Sequence, residues 1–161
     1  MKALIRAINT ISEAVGKLSI ALLLVALVSI LYGIFARTVL DRSAFWQIPL
    51  AIYVTLAMAY LAAGYGQKHG VHVAVHALLN RLPVRVRGYV RIATTLLAIL
   101  TFTVMGWKTL EYTVEVYRKG WITYGMFEVP LWLLYLSIAA GLFLLVAQMV
   151  VDLIVQLKRP E

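Results

Sequence analysis

The chain has 161 residues, 63% of them hydrophobic and only 14% charged, with a mean hydropathy of +0.89. A soluble domain of this size is about half apolar and a quarter charged, so most surfaces here must face something oily, and the composition predicts an all-α integral membrane protein. The absence of cysteine excludes disulfides, thiol nucleophiles and iron–sulfur ligation, and the formal charge of +8 lies between apolar runs, where anionic phospholipids rather than nucleic acid are its expected partners.

Residues 1–16 carry Leu4, Ile5, Ile8, Ile11 and Val15 at helical spacing, with Lys2, Arg6, Asn9 and Glu13 on the rest of the wheel. This pattern predicts an amphipathic helix in the inner interface. Four charge-free stretches follow, at 18–36, 43–67, 92–107 and 129–151. About 20 apolar residues cross the hydrocarbon layer, so the expected spans are residues 18–40, 44–67, 88–117 (the third span together with a periplasmic extension) and 129–153. The third charge-free stretch would cover only about 24 Å, which requires Arg91 and Lys108 to snorkel. The first stretch is too long for a signal-peptide core and is expected to remain as a span.

After the second span come His69, His72 and His76, which are all the histidines of the chain. Their spacing would put three imidazoles on one helix face, a geometry that could hold zinc. Gly70 weakens a helix at that point, however, and no carboxylate nearby in sequence would orient the rings. The expected role is a boundary where the span ends. Residues 71–82 then predict a short interfacial helix on the cytoplasmic side, stopped by Pro83, with Arg85 and Arg87 as charges that set topology or contact lipid.

In the outer segment after the third span, Glu111 and Glu115 are one turn apart, but each has a cation at helical pairing distance: Lys108 for the first, Arg118 and Lys119 for the second. A two-carboxylate site is therefore not expected. Ten of the 15 Lys and Arg residues fall on the side holding both termini and the middle loop. The positive-inside rule makes that side the cytoplasm. Trp46, Trp107, Trp121 and Trp132 cluster near the opposite ends, as interfacial aromatics do. No acid or base lies deep in a span, where ion and proton paths are marked by such groups. Gln148 and threonines 94, 95, 101 and 103 are the polar exceptions. The residues alone thus predict an accessory membrane subunit, with no catalytic residue, metal or cofactor. The rival readings are a homo-oligomeric channel or transporter and a membrane metalloenzyme using the histidines.

Three short motifs sharpen this. Gly70-Val71-His72-Val73-Ala74-Val75 follows the second span, then Leu82-Pro83, and Pro130-Leu131-Trp132 opens the fourth. In this order, over about residues 10–155, the chain resembles the small membrane subunit (DctQ-like) of tripartite ATP-independent periplasmic (TRAP) transporters. Arg37 and Trp46 sit where that family often closes the first span and opens the second. The family's usual glutamate after the tryptophan is Gln47 here, and its frequent aspartate after the histidine motif is His76. The resemblance implies a role in the bacterial inner membrane beside a large multi-span subunit and a periplasmic substrate-binding protein. There the small subunit braces the stationary part of an ion-driven elevator for organic anions. Arg37, Trp46, Gly70, His72, Arg85, Arg87 and Trp132 are the expected contacts with partner or lipid.

Overall fold

Long apolar runs interrupted only by loops with Pro, Gly or several charges leave the backbone one way to satisfy its polar groups in lipid, which is the helix. The computed structural model describes residues 2–42, 45–69, 84–123 and 128–158, with side chains described for 5–42, 45–69, 88–123 and 128–155. Four helices result: α1 (Lys2–Thr38), α2 (Gln47–Lys68), α3 (Val84–Lys119) and α4 (Leu131–Lys158). Within them Ile5–Thr38, Gln47–Lys68, Gly88–Lys119 and Leu131–Val155 are each long and apolar enough to cross a membrane. The protein is an all-α, multi-pass membrane protein. The amphipathic segment at the start runs into the first span without a break, as one helix of 37 residues. The motif around Gly70 and His72, with His76 and the segment 71–82, lies outside the described residues.

The helices do not close into a bundle. α1 packs on α2, α2 on α4 and α4 on α3, while α1 and α4 touch only slightly. The result is a single row in the order α1–α2–α4–α3, open on both broad faces. On the α1 and α2 side its interior is mostly small groups, with Ala26, Ala36, Ala51, Ser19 and Ser29 buried, while α4 adds Leu142, Leu145, Met149 and Val151; most large apolar side chains of α1 and α3 point outward. In lipid no hydrophobic force drives helices together, so they associate where small residues let backbones approach. Gly141 is the closest such point, since a Cβ there would overlap the Tyr60 carbonyl. Gly16 lies directly against the Tyr65 ring in the same way.

Contacts along the row fix how far each helix is shifted against the next. Gly16 of α1 meets Tyr65, Gly64 of α2 meets Leu144, and Gly106 of α3 meets Leu142 and Phe143. Gly16 and Gly106 are therefore nearly level along the helix axes. Yet Gly16 lies just before the charge-free stretch of α1, and Gly106 is almost the last residue of the one in α3. The charge-free stretches of the two outermost helices are offset by about 26 Å between their centres, counting ~1.5 Å per residue.

The outer end is a tight hairpin. α3 ends in a Schellman arrangement: Gly120 has φ 63°, its N–H reaches the Tyr117 carbonyl, and the Trp121 N–H reaches Val116. A bridge between Ile122 and Pro130 and a bond from the Leu131 N–H to the Trp121 carbonyl then tie the start of α4 to the end of α3. Gly141→Leu is expected to force α2 and α4 apart and cost about 1–3 kcal/mol, as overpacking does. Thermal unfolding in detergent checks this, with Gly88→Leu, which has open space around it, expected to change little.

Candidate functional site

Polar side chains collect at two places in the row. At the cytoplasmic end predicted from the sequence, α1, α2 and α4 each present a polar turn, and these interlock. The Ser12 hydroxyl donates to Gln148 Oε1 at 3.2 Å, and Gln148 Nε2 donates to Asn9 Oδ1 at 3.2 Å. Ser12 and Gln148 are buried. Gln67 Nε2 donates to Asp152 Oδ2 at 2.9 Å, with Arg91 of α3 within electrostatic reach of that carboxylate. Lys68 Nζ donates to Glu13 Oε1 at 2.7 Å and to the Asn9 carbonyl at 3.4 Å. His69 stacks on Tyr65 at 4.4 Å and has Nε2 3.5 Å from Glu13. Three helices, α1, α2 and α4, are thus joined by hydrogen bonds and an ion pair at one level.

Asn9 and Glu13 differ from the sequence expectation. The polar side of an interfacial helix should face water and head groups, but here it turns, with Ser12, toward α2 and α4. The reason is reciprocity: Gln67 and Lys68 end α2, and Gln148 and Asp152 lie one turn apart on α4, so inward-turned polar groups find partners. The spacings Asn9–Ser12–Glu13 and Gln148–Asp152 carried that signal, since each is one helical turn.

At the opposite end aromatic rings replace polar bonds. Trp46, just before α2, packs on Tyr32 at 5.8 Å. Trp132 in the first turn of α4 meets Tyr117 edge-on at 5.7 Å, and Tyr112 meets Tyr135 edge-on at 4.8 Å. Arg37 lies exposed in the last turn of α1. The structure thus brings Arg37 and Trp46 to one outer corner and Trp132 to the other. Arg85 and Arg87 fall in the first turn of α3, their side chains outside the described residues.

The acids of α3 are paired as the spacing predicts. Glu111 accepts from Lys108 at 2.8 Å and from the Trp107 indole at 2.7 Å, and Glu115 accepts from Lys119 at 2.5 Å. Each threonine singled out in the third span bonds back to its own helix: Thr94 and Thr95 reach the Arg91 carbonyl, Thr101 reaches Leu97 and Thr103 reaches Ile99. Among the described residues no three His, Asp or Glu side chains are grouped to hold a metal.

Gln47 stands apart. It is 1% exposed, packed near Gly33, and neither amide atom has a hydrogen-bond partner among the described residues. A neutral amide there costs far less than the carboxylate its family resemblance suggests, because an unpaired buried charge is the most expensive group to hold. Gln47→Glu is expected to lower the thermal midpoint in detergent, and Gln47→Met to keep or raise it. For the clamp, a double-mutant cycle of Ser12→Ala and Gln148→Ala should give a coupling of about 0.6 kcal/mol, the usual value between membrane helices. A coupling of zero would remove the Ser12–Gln148 contact from the account.

The sequence was compared with known proteins. It is 22% identical over 138 residues to the ectoine TRAP transporter small permease protein TeaB of Halomonas elongata, covering 83% of this chain and 71% of that protein. It is 28% identical over 96 residues to the C4-dicarboxylate TRAP transporter small permease protein DctQ of Rhodobacter capsulatus, covering 60% of this chain and 42% of that one. Residues 26–159 match the family model for the DctQ component of tripartite ATP-independent periplasmic transporters. With four spans in the order the sequence predicts and most of its length matched, the chain belongs to the DctQ family of TRAP transporter small permease subunits.

Proposed function

We propose that this chain is the non-translocating membrane subunit of an ion-gradient-driven importer, with both termini in the cytoplasm of a bacterial cell. It braces the stationary part of a large membrane subunit, which carries an organic anion delivered by a soluble binding protein. One observation carries the reading. Among the described residues the buried hydroxyls and Gln148 are consumed in holding helix to helix or in bonding back to their own backbone, with Gln47 the one buried polar side chain left wholly unpartnered, and a solute path needs a series of polar groups left free. The names of the two relatives, a small permease protein for ectoine and one for C4-dicarboxylates, support the same division of labour.

The offset between helices suggests how the brace sits. A bilayer is flat, so the apolar stretches of all four helices must lie at one depth. An offset of about 26 Å built up over three steps of about 9 Å then calls for a shared tilt on the order of 45°. That is just beyond the roughly 40° limit seen for membrane helices, and snorkelling of Arg91 and Lys108 takes up the difference. In this seating the first turns of α1 cross the inner interface obliquely, and segment 71–82 lies along it. An oblique row one helix thick spans more membrane than a closed bundle of the same length. A wide footprint resists tipping while a neighbouring domain slides. Small-residue stretches such as Ala57, Ala59, Ala62 and Ala63 suit close packing of another protein on its face.

The test is reconstitution. The large subunit should co-purify with a tagged version of this chain. Liposomes holding both, with the binding protein added, should take up solute at least tenfold faster than liposomes lacking this chain, a loss of more than 1.4 kcal/mol in effective barrier. Equal uptake without it would remove the bracing role. Flux through liposomes holding this chain alone would instead support the homo-oligomeric channel.

A further inference from the structure

The connection that leaves α1 is a built turn. Asp41 has φ 47°, in the left-handed region that few residues other than glycine enter. The turn sends the Arg42 N–H back to the Ala36 carbonyl at 3.0 Å. The backbone of Arg42 is thereby folded onto the last turn of α1, the turn that carries Arg37. Both arginines are exposed, and among the described residues neither forms an ion pair, nor does Asp41. The first turn of α2 begins beside them, with Trp46 on Tyr32 and Gln47 against Gly33. It holds no acid that could neutralise the pair. On α3 at this end the lysines are already held, Lys108 by Glu111 and Lys119 by Glu115.

The surroundings of the pair are apolar. Val39 is 63% exposed and Phe45 62%, with Leu40 and Trp46 exposed as well. Around a loop in open water such side chains would be a liability. At head-group depth they are ordinary, and an aromatic pair such as Tyr32–Trp46 belongs there. The charge-free stretch of α1 ends at Ala36, one residue before Arg37, which sets the arginines at the level of the phosphates. Val28, Leu31, Phe35 and Val39 are all exposed and follow helical spacing, so an apolar stripe runs from the hydrocarbon up to the pair. A guanidinium offers a fork of N–H donors that fits phosphate oxygens, and two on one turn can hold a single phosphodiester from both sides.

We propose that this corner is a binding site for an anionic phospholipid. Arg37 and Arg42 donate to its phosphate oxygens, and an acyl chain follows the stripe from Val39 to Val28 beside Phe45. A free anion would gain nothing from the apolar rim. Two arginines against one aspartate favour an anionic head group over a zwitterionic one. The leaflet that supplies the lipid rests on the orientation proposed above; the site itself does not.

Trp46 reports occupancy once Trp107, Trp121 and Trp132 are replaced by phenylalanine. The protein is placed in phosphatidylcholine vesicles holding a minor share of phosphatidylglycerol brominated on its acyl chains. Quenching of Trp46 should correspond to a local share about fivefold above the bulk share at low salt, falling toward it at high salt. Brominated phosphatidylcholine should quench only in proportion to its amount. Arg37→Gln combined with Arg42→Gln should bring phosphatidylglycerol down to that proportion, with the thermal midpoint in detergent unchanged because both side chains are exposed. Arg6→Gln, exposed at the opposite end of α1, should leave the enrichment as it was. Enrichment that survives the double variant, falls equally in Arg6→Gln, or is abolished by inorganic phosphate would overturn the lipid site. So would its loss on adding the large subunit, which would put a protein acid in place of the phosphate. None of these outcomes touches the bracing role, which stands or falls on uptake with and without this chain.

Discussion

The constraint on which the whole structure depends is that lipid gives these helices no hydrophobic reason to associate. Apolar side chains are as well solvated by acyl chains as by one another, so contact has to come from close backbone approach and from hydrogen bonds. The chain uses one device at each level. Gly141 against the Tyr60 backbone holds α2 to α4 in mid-row, and the Asn9–Ser12–Gln148 and Gln67–Asp152 bonds lock the end away from the α3–α4 hairpin. Close packing joins only successive pairs of the row, and the Asn9–Ser12–Gln148 bonds reach from α1 past α2 to α4 at one end alone, so the helices form a row and not a closed bundle. The large side chains left outside, including Leu24, Leu31, Leu97 and Leu100, would be a liability in water. In a membrane they are ordinary lipid- or protein-facing surface.

How much of this was legible in the sequence depends on the scale. Helix number, approximate ends and the pairing of Glu111 and Glu115 with lysines follow from charge-free length and from i,i+3 and i,i+4 spacing, which are local. The family was legible too, from motifs whose order along the chain survives even where Gln47 replaces an acid. The polar clamp was not, because its meaning is relational. Asn9 on an amphipathic segment and Gln148 in a span look unrelated until α1 and α4 are adjacent. The row itself was equally hidden, since an open layer and a bundle use the same four apolar runs. Composition cannot say which helices touch.

The offset between α1 and α3 links fold to function. Had the four apolar stretches been level, the row would stand upright and present the membrane with a narrow wall. A shared tilt makes it a broad oblique panel, with an extension of α1 toward one aqueous side and of α3 toward the other. The proposed division of labour uses two of these parts: the panel as brace and the clamped turns of α1 as its inner anchor. Stiffness follows from the same features, because the locked ends and the glycine contact leave the helices little freedom to slide past one another.

Depth in the bilayer tests this seating most directly. Nitroxide labels on Arg37→Cys and Lys108→Cys in the reconstituted protein report depth through their accessibility to oxygen and to a water-soluble relaxation agent. Oblique seating predicts that both labels lie at the same outer interface, although Gly106, two residues from the second, is level with Gly16 along the row. A Lys108 label found deep in the hydrocarbon, well below the Arg37 label, would mean the row stands upright and would contradict the account.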